Sequence, residues 1–328
     1  MQRRGETKNL VTGQTMNIRK ASLTIALVLS MLVSCDQPVD VGDQHEPSAP
    51  ERIVTDDLDR RVLVPVNVKR VVSTAPSVTE MIFAVGAGDR LVGVTTFCDY
   101  PEDAKSIAKI GDTMNPNMET IIALKPDIVF VSTASQIEAF MKTLEANGIA
   151  VYILDPPFGV TGIYERSINE LGIIFDKYHS ANELSSVLRD RHMSVCRVTR
   201  GCLGRDKDGP APDAISVFLQ ISKEPLFTVG GSSFLNQIIR DAGGVLATDK
   251  IETAFPKLSK ETASALNPQV IILSDSPDNQ QPNDAFKNSP AVKNGRVYKI
   301  NADLISRPGP RLIDALEMIA RLLHPEKF

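Results

Sequence analysis

Cysteine and histidine are the residue types in this chain best suited to hold a metal ion or to act in catalysis, and the chain has four of each. The histidines, His45, His179, His192 and His324, are scattered through segments of different character. No CxxC pair and no cysteine–histidine cluster has the spacing of a metal site. The chain also lacks the motifs G-x-S-x-G and H-E-x-x-H and the P-loop. The sequence therefore predicts neither an enzyme nor a resident metal or other cofactor.

The cysteines are instead candidates for a disulfide bond and for lipid attachment. Cys196 and Cys202 lie close together in the sequence and could pair in an oxidising compartment, which would leave Cys98 over. The alternative is that Cys98, Cys196 and Cys202 are all free thiols. Four cysteines are too few for a small scaffold that depends on disulfides for its stability.

Two glutamates open matching segments of an internal repeat. Residues 119–132 read E-T-I-I-A-L-K-P-D-I-V-F-V-S and residues 261–274 read E-T-A-S-A-L-N-P-Q-V-I-I-L-S, with six of fourteen positions identical. Asn-Gly pairs at 147–148 and 294–295 follow in the same order. Any two α/β units look partly alike, but two matched segments in one order favour two lobes of common fold.

The elements that would position these residues alternate between short strands and helices. Ile128–Val131 and Val151–Leu154 are β-branched and apolar, and Gln136–Glu145 between them has a helical pattern. This alternation predicts parallel α/β lobes. Upstream, Ile53–Val64 predicts a β-hairpin, and Ser77–Glu80 predicts a capping box at the N-terminus of a helix.

A long helix is predicted between the two halves, because Asn182–Arg197 contains no glycine or proline. The residues at helical spacing are Leu184, Val187, Leu188, Arg191 and Val195. The predicted organisation is an N-terminal α/β lobe over residues 51–178, a bridging helix over residues 179–200 and a C-terminal α/β lobe over residues 201–328. A cleft between two lobes is the usual place for a small ligand.

The N-terminal residues indicate export. Asn17–Lys20 are basic, and Ala21–Val33 form an apolar run that is too short to span a bilayer comfortably but is typical of a secretory signal. The sequence predicts a signal peptide over residues 1–34. Met16 is an alternative start, because the residues before it add nothing that a signal peptide needs.

The signal ends in Leu32–Cys35, which resembles the lipobox of bacterial lipoproteins, where the peptidase cuts before a lipid-bearing cysteine. A plain signal peptide with a chance cysteine and a short membrane anchor are the alternatives. Residues 35–50 are rich in Asp, Pro, Gln and Gly and predict a flexible tether after the lipidated Cys35. Asp36 resembles the inner-membrane retention signal of enteric bacteria. The predicted location is therefore the periplasmic face of the inner membrane.

Composition narrows the classes of partner. Hydrophobic residues make up 42% and charged residues 23% of the chain, which is typical of a folded protein. The formal net charge is −4, and no basic face or tail offsets it, so nucleic acid is not an expected partner.

Several short motifs resemble those of the periplasmic binding proteins of vitamin B12 importers. The motifs are Phe97–Pro101, Gly111-Asp112, Asn117–Glu119, Ala123–Asp127 and Arg307–Leu312. The resemblance extends from about Arg52 to His324. It implies an α/β fold of two Rossmann-like lobes with central parallel sheets, joined by a single long helix. It also implies a monomer that captures a corrinoid and delivers it to an ABC-transporter permease with separate ATPase subunits.

The resemblance assigns roles to particular residues. Glu119 and Glu261 match the paired glutamates that dock such proteins onto permease arginines. The alternative is that each glutamate is there only because the helix dipole favours a carboxylate in the first turn. Tyr100 matches a cleft tyrosine that stacks on a flat macrocycle. Arg307 would donate to ligand amides or carboxylates, with a surface salt bridge as the alternative.

Three phenylalanines fall where the resemblance implies other cleft positions, and for each the alternative is core packing. They are Phe97, Phe227 and Phe255. The chain departs from the expected pattern because it has no tryptophan, and Phe255 stands before Pro256 where a tryptophan is expected.

Other functions remain open at this stage. Haem and siderophore receptors share this fold, and a tyrosine such as Tyr100 could ligate haem iron. No histidine has the placement of an axial ligand. An exported enzyme and a structural lipoprotein are alternatives from other classes.

Overall fold

The computed structural model describes residues 50–132, 137–154, 159–202 and 214–328. The predicted signal peptide, Cys35 and nearly all of the predicted tether lie outside the described residues. None of the helices in the described ranges combines the length and the apolar character that crossing a membrane requires.

In the described residues of the N-terminal half there are six strands and five helices. The strands are β1 (Glu51–Thr55), β2 (Arg61–Pro65), β3 (Val71–Ser73), β4 (Leu91–Val94), β5 (Ile128–Val131) and β6 (Ala150–Ile153). The helices are α1 (Pro76–Ala84), α2 (Met118–Ala123), α3 (Ile137–Ala146), α4 (Gly159–Gly162) and α5 (Ile168–Phe175), and a π-helical turn over Ile163–Ser167 joins the last two.

The 22-residue helix α6 (Tyr178–Thr199) follows, and the residues that the structure describes after it, 214–328, add five strands and five helices. The strands are β7 (Ile215–Ser222), β8 (Phe227–Thr228), β9 (Gly244–Leu246), β10 (Val270–Asp275) and β11 (Val297–Asn301). The helices are α7 (Phe234–Asp241), α8 (Lys260–Leu266), α9 (Pro290–Lys293), α10 (Ala302–Ser306) and α11 (Leu312–Leu323).

Each half is built on its own parallel sheet, as the alternating pattern predicted. The first sheet has the order β4-β3-β5-β6. The second has the corresponding order β9-β7-β10-β11, and the short strand β8 pairs antiparallel with β7. Strands such as Ile128–Val131 are buried at every position, because helices cover both faces of a parallel sheet. The predicted β-hairpin is confirmed by the antiparallel pairing of β1 with β2.

The internal repeat is visible in the backbone. After α2, Lys125 has a φ of 47°, and after α8, Asn267 has a φ of 47°. In both halves a non-glycine residue in the left-handed region is followed by proline and then by a central strand. The shared local geometry shows that the matching segments 119–132 and 261–274 fold in the same way.

Helix α6 lies in the segment predicted to join the lobes, and two of the residues named for their helical spacing, Leu188 and Val195, are buried. Val187 is 49% exposed, and Arg191 is an ion-pair partner of Asp314 and Glu317 on α11. The buried residues of α6 are Ala181, Ser185, Leu188, His192, Val195, Cys196 and Thr199. The polar members Ser185 and His192 interrupt the apolar stripe, so the buried face of this helix is not purely hydrophobic.

One continuous apolar cluster includes residues from both halves of the chain, from Val62 in β2 to Leu323 at the end of α11. Helix α6 contacts α5, α7 and α11, and α4 contacts α7. Densely packed interiors of this kind resist deformation. We therefore expect the two sheets to move little relative to one another. The exact boundaries of the two lobes stay a prediction.

The predicted capping box at Ser77–Glu80 is wrong. Helix α1 begins at Pro76, its N-cap is Ala75, and no side chain caps it. Proline is favoured at the first helical position because its φ is already helical and its missing N–H costs nothing there. Ser77 therefore lies inside the first turn, and the carboxylate of Glu80 is available for other partners.

Candidate ligand-binding site

The loops that follow the strands hold the candidate ligand-binding residues. Phe97 and Tyr100 come just after the carboxyl end of β4, and Arg307 follows β11 and α10. In parallel α/β sheets, ligands bind beyond the carboxyl ends of the strands. The two sheets therefore present these residues at the edges where a ligand is expected.

Exposure separates two of the candidate phenylalanines from the core. Phe97 is 58% exposed and Phe255 is 49% exposed, whereas Phe130 and Phe218 are fully buried. Core packing is thus excluded as the role of Phe97 and Phe255. Phe227 is half-buried in β8, where it pairs with β7.

Arg307 is the centre of an ion-pair cluster that joins the two halves of the chain. Its Nη1 lies 2.7 Å from Asp99 Oδ1 and 3.2 Å from Glu80 Oε1, and its Nη2 lies 2.8 Å from Asp303 Oδ1. The guanidinium also donates to the backbone oxygen of Phe97 at 3.4 Å. The Arg307 side chain is only 10% exposed, so it is not a simple surface salt bridge.

Arg311, four residues further along the chain, completes the cluster. It forms a bidentate pair with Glu80, with Nε to Oε2 at 2.9 Å and Nη2 to Oε1 at 2.5 Å. Its guanidinium carbon lies 3.9 Å from the centroid of the Tyr100 ring, within the range of a cation–π contact. One face of the Tyr100 ring is therefore covered by an arginine.

The ion pairs of this cluster shift the pKa values of Asp99 and Arg311. The hydrogen bond from Arg307 lowers the pKa of Asp99 below its usual value, although partial burial opposes the shift. The hydrogen bond to Glu80 raises the pKa of Arg311. Because the pKa of Asp99 is depressed in the folded protein, its contribution to stability is present at neutral pH and is lost as the pH falls through the folded pKa.

The structure brings some of the sequence-predicted residues together and leaves others apart. Phe97, Tyr100 and Arg307 form one group. Among the residues that the structure describes, no hydrogen bond, ion pair or ring contact links Phe227 or Phe255 to that group.

Four members of the cluster were missed by sequence reasoning. They are Glu80, Asp99, Asp303 and Arg311. Asp99 and Arg311 lie in the two motifs that suggested the ligand site, so membership in those motifs was an available signal. Glu80 had no such signal, because its partners lie 227 and 231 positions away.

Glu119 and Glu261 occupy equivalent exposed positions. Each lies in the first turn of a short helix, α2 or α8. The side chain of Asn117, the N-cap of α2, accepts a hydrogen bond from the Thr120 N–H. Ser259 is the N-cap of α8, and each N-cap precedes its glutamate by the same number of residues. Hydrogen bonds from its own backbone N–H and from Ser259 lower the pKa of Glu261. Glu119 and Glu261 thus occupy matching positions in their helices, as the predicted docking role would require. A carboxylate in the first turn of a helix is also favoured by the helix dipole, which is the alternative role.

The sulfur atoms of Cys196 and Cys202 are joined in a disulfide bond, and their Cα atoms lie 5.3 Å apart. Cys98 is a buried free thiol. The sulfur of Cys98 lies 3.1 Å from Thr95 Oγ1 and accepts from Thr79 Oγ1 at 3.2 Å.

Comparison with known proteins identifies the family. A model of the family described as periplasmic binding protein matches residues 71–304. The chain belongs to the periplasmic binding protein family. As a member, it is a substrate-binding protein of the two-lobed class that includes vitamin B12-binding and heme-binding proteins.

Its relatives and structural neighbours carry several ligand names. An uncharacterized ABC transporter substrate-binding lipoprotein, YvrC of Bacillus subtilis, is 30% identical, covering 94% of this chain and 99% of the relative. A vitamin B12-binding protein of Vibrio vulnificus is 28% identical, covering 77% and 89%. The crystal structure of the periplasmic vitamin B12 binding protein BtuF of Vibrio cholerae matches with a TM-score of 0.66 and 26% identity, covering 80% of this chain and 98% of that one.

A heme-binding protein also shares the fold. The periplasmic heme-binding protein RhuT of Roseiflexus has a TM-score of 0.67 at 20% identity, covering 80% of this chain and 100% of that one. The predicted two-lobed α/β fold is confirmed by these neighbours. The fold alone does not distinguish a corrinoid from a haem.

Removing the central carboxylate tests the ion-pair cluster. Glu80→Gln should lower the free energy of unfolding by about 3 kcal/mol, because it leaves two largely buried guanidinium groups without their shared partner. Asp303→Asn is the matched control, since Asp303 pairs with the same Arg307 but its side chain is 41% exposed. That change should cost less than about 1 kcal/mol. Urea unfolding followed by circular dichroism measures both, and equal losses would show that the shared carboxylate of Glu80 does not stabilise the cluster more than an exposed one.

Proposed function

We propose that this protein is the substrate-binding lipoprotein of an ABC importer, that its ligand is a corrinoid of the vitamin B12 type, and that it is not an enzyme. The names of the relatives support the transport role. The aromatic residues beyond the strand ends support a large, flat ligand. Tyr100 and Phe97 offer exposed rings there, and aromatic faces suit a macrocycle.

The charge of the cluster is the observation that favours a corrinoid. Three carboxylates, those of Glu80, Asp99 and Asp303, surround only the two guanidinium groups of Arg307 and Arg311. The group therefore has an excess of one negative charge. The side chains of Asp99 and Asp303 are 50% and 41% exposed, so both can accept hydrogen bonds from a ligand.

A corrin ring has peripheral amides, whose N–H groups can donate to these carboxylates without bringing a charge of their own. Haem has two propionates, and ferric siderophores are commonly anionic, so both would meet repulsion from the excess negative charge. Both arginines are already paired with acids and are not free to receive such anions. A corrinoid thus suits the described part of the site better than an anionic ligand does.

Haem is the second candidate because the exposed Tyr100 has a phenol oxygen that can ligate iron. The two buried histidines have other partners. His192 pairs with Asp241, and His324 lies 3.3 Å from the backbone oxygen of Gly243. An axial histidine from these positions is therefore not expected.

In the proposed transport cycle, a lipid at Cys35 holds the protein at the periplasmic face of the inner membrane. The ligand binds between the lobes, and Glu119 and Glu261 contact arginines of the permease through charge-assisted hydrogen bonds. The ATPase subunits are separate chains. Because one apolar core includes residues of both halves, we expect binding to cause only a small change in the angle between the lobes.

Ligand identity is tested by incubating the full-length protein, purified in detergent, with cyanocobalamin or with haemin and separating bound from free ligand on a desalting column. We expect cyanocobalamin to elute with the protein at one per chain. At a free ligand concentration about 100 times the dissociation constant, it should also add about 2.7 kcal/mol to the free energy of unfolding. If haemin elutes with the protein at one per chain and cyanocobalamin does not, the ligand is haem and the corrinoid assignment is wrong.

The docking role is tested by charge reversal. The double variant Glu119→Arg and Glu261→Arg should abolish ligand uptake in cells while leaving the dissociation constant for the ligand unchanged, because neither residue lies at the ligand site. Glu183→Arg, an exposed glutamate on α6, is the matched control and should leave uptake intact. Weaker ligand binding by the double variant, or normal uptake, would contradict the docking assignment.

A further inference from the structure

Four potential metal ligands lie together where α6 meets α7, away from the proposed ligand site. They are the side chains of His192, Cys196, Cys202 and Asp241, whose ligand atoms all lie within 4.8 Å of one another. His192 and Asp241 are each 1% exposed. We propose that these four side chains bind one zinc ion when the disulfide bond between Cys196 and Cys202 is reduced.

Two of the distances in the disulfide form are already those of a tetrahedral site, and reduction frees the two sulfur atoms to separate. Cys202 Sγ lies 3.3 Å from Asp241 Oδ1 and 3.8 Å from His192 Nε2. With a zinc–sulfur bond of about 2.3 Å and a zinc–nitrogen bond of about 2.0 Å, ligand atoms in a tetrahedron lie roughly 3.3–3.8 Å apart. The 2.8 Å hydrogen bond between His192 Nε2 and Asp241 Oδ2 would lengthen as both atoms turn to the metal.

The chemistry of the set suits zinc. Two thiolates, an imidazole and a carboxylate are all zinc ligands, and thiolates select against magnesium and calcium. His192 and Cys196 are four residues apart on α6 and therefore lie on one face of the helix. Cys202 reaches the same place because Gly201 packs tightly against α7, where an added Cβ would lie 2.1 Å from the backbone oxygen of Arg240.

Neighbouring side chains orient the ligands in the way that metal sites require. Tyr164 Oη lies 3.1 Å from His192 Nδ1, and Gln237 Nε2 donates to Asp241 Oδ1 at 2.7 Å. In metal sites, the second ring nitrogen of a histidine usually has a hydrogen-bond partner that fixes the ring. A phenol hydroxyl can both donate and accept, so Tyr164 can serve either tautomer of His192.

The tautomer of His192 would change with the state of the cysteines. In the disulfide form, Nε2–H donates to the Asp241 carboxylate, and Nδ1 accepts from the Tyr164 hydroxyl. With Nε2 bound to zinc, the ring proton resides on Nδ1 and is donated to Tyr164 Oη. Tyr164 is thus a positioning residue in both states.

The conversion requires a dithiol reductant. Thiol–disulfide exchange breaks the sulfur–sulfur bond between Cys196 and Cys202, gives each sulfur a proton and converts the dithiol to its disulfide. Zinc then displaces one proton from each of the two thiols. The zinc form therefore replaces one covalent link between α6 and the residues after it by a link that also includes Asp241 of α7.

The test compares the full-length protein before and after reduction with a dithiol, followed by removal of the reductant under nitrogen. We expect the reduced protein to retain one zinc per chain through gel filtration and the oxidised protein to retain none. Cobalt(II) added to the reduced protein should give thiolate-to-cobalt charge-transfer bands and the strong visible bands of a tetrahedral site. A reduced protein without bound zinc, or cobalt bands without thiolate charge transfer, would overturn the proposal.

Cysteine variants distinguish metal binding by Cys196 and Cys202 from metal binding by another thiol of the protein. Cys196→Ser and Cys202→Ser should remove the charge-transfer bands, whereas Cys98→Ser, the matched control at the buried thiol outside the cluster, should keep them. Tyr164→Phe should weaken zinc binding about 10–100-fold while leaving the cobalt spectrum tetrahedral, as expected for a residue that only orients a ligand. Unchanged zinc affinity in Tyr164→Phe together with unchanged bands in Cys202→Ser would show that zinc binds elsewhere. Because the wild-type comparison needs no substitution, misfolding of a variant does not decide the result.

Discussion

The candidate ligand site depends on the charge of one buried carboxylate. Glu80 lies on α1, is 3% exposed, and is paired with Arg307 and Arg311 from the other half of the chain. A carboxylate this deeply buried would be very costly without cationic partners. The loop with both arginines must therefore close on α1, and this closure places the same guanidinium groups against Asp99 and Tyr100. The position of Tyr100 and the charge of the site both follow from this pairing.

The same arrangement explains how one fold can serve receptors with different ligands. The two parallel sheets and the helices around them resemble those of both vitamin B12-binding and heme-binding proteins. In this chain, Phe97, Asp99, Tyr100 and Arg307 lie on loops beyond the strand ends, where substitution leaves the core unchanged. Together with Glu80 of α1 and Asp303 of α10, these loops combine exposed aromatic rings with more carboxylates than guanidinium groups. We propose that this balance determines the class of ligand.

Local patterns in the sequence were enough to predict the repeated part of the fold. The segments after Glu119 and Glu261 form the same helix, left-handed turn and strand, because short-range preferences govern each step. Pairing across long sequence separations could not be predicted in this way. The pattern around Glu80 fits a capping box, and only Pro76 indicated an earlier start for α1. Likewise, no local signal places Asp241 beside His192, since 49 positions separate them.

We propose that the site favours an uncharged, amide-bearing macrocycle because its carboxylates outnumber its guanidinium groups. The most direct test is calorimetric comparison of cyanocobalamin with its monocarboxylic derivatives, in which one peripheral amide is hydrolysed. We predict that at least one derivative binds about tenfold more weakly, a loss of about 1.4 kcal/mol, because its carboxylate approaches Asp99 or Asp303. Equal or tighter binding of every derivative, or no binding of cyanocobalamin itself, would contradict the account.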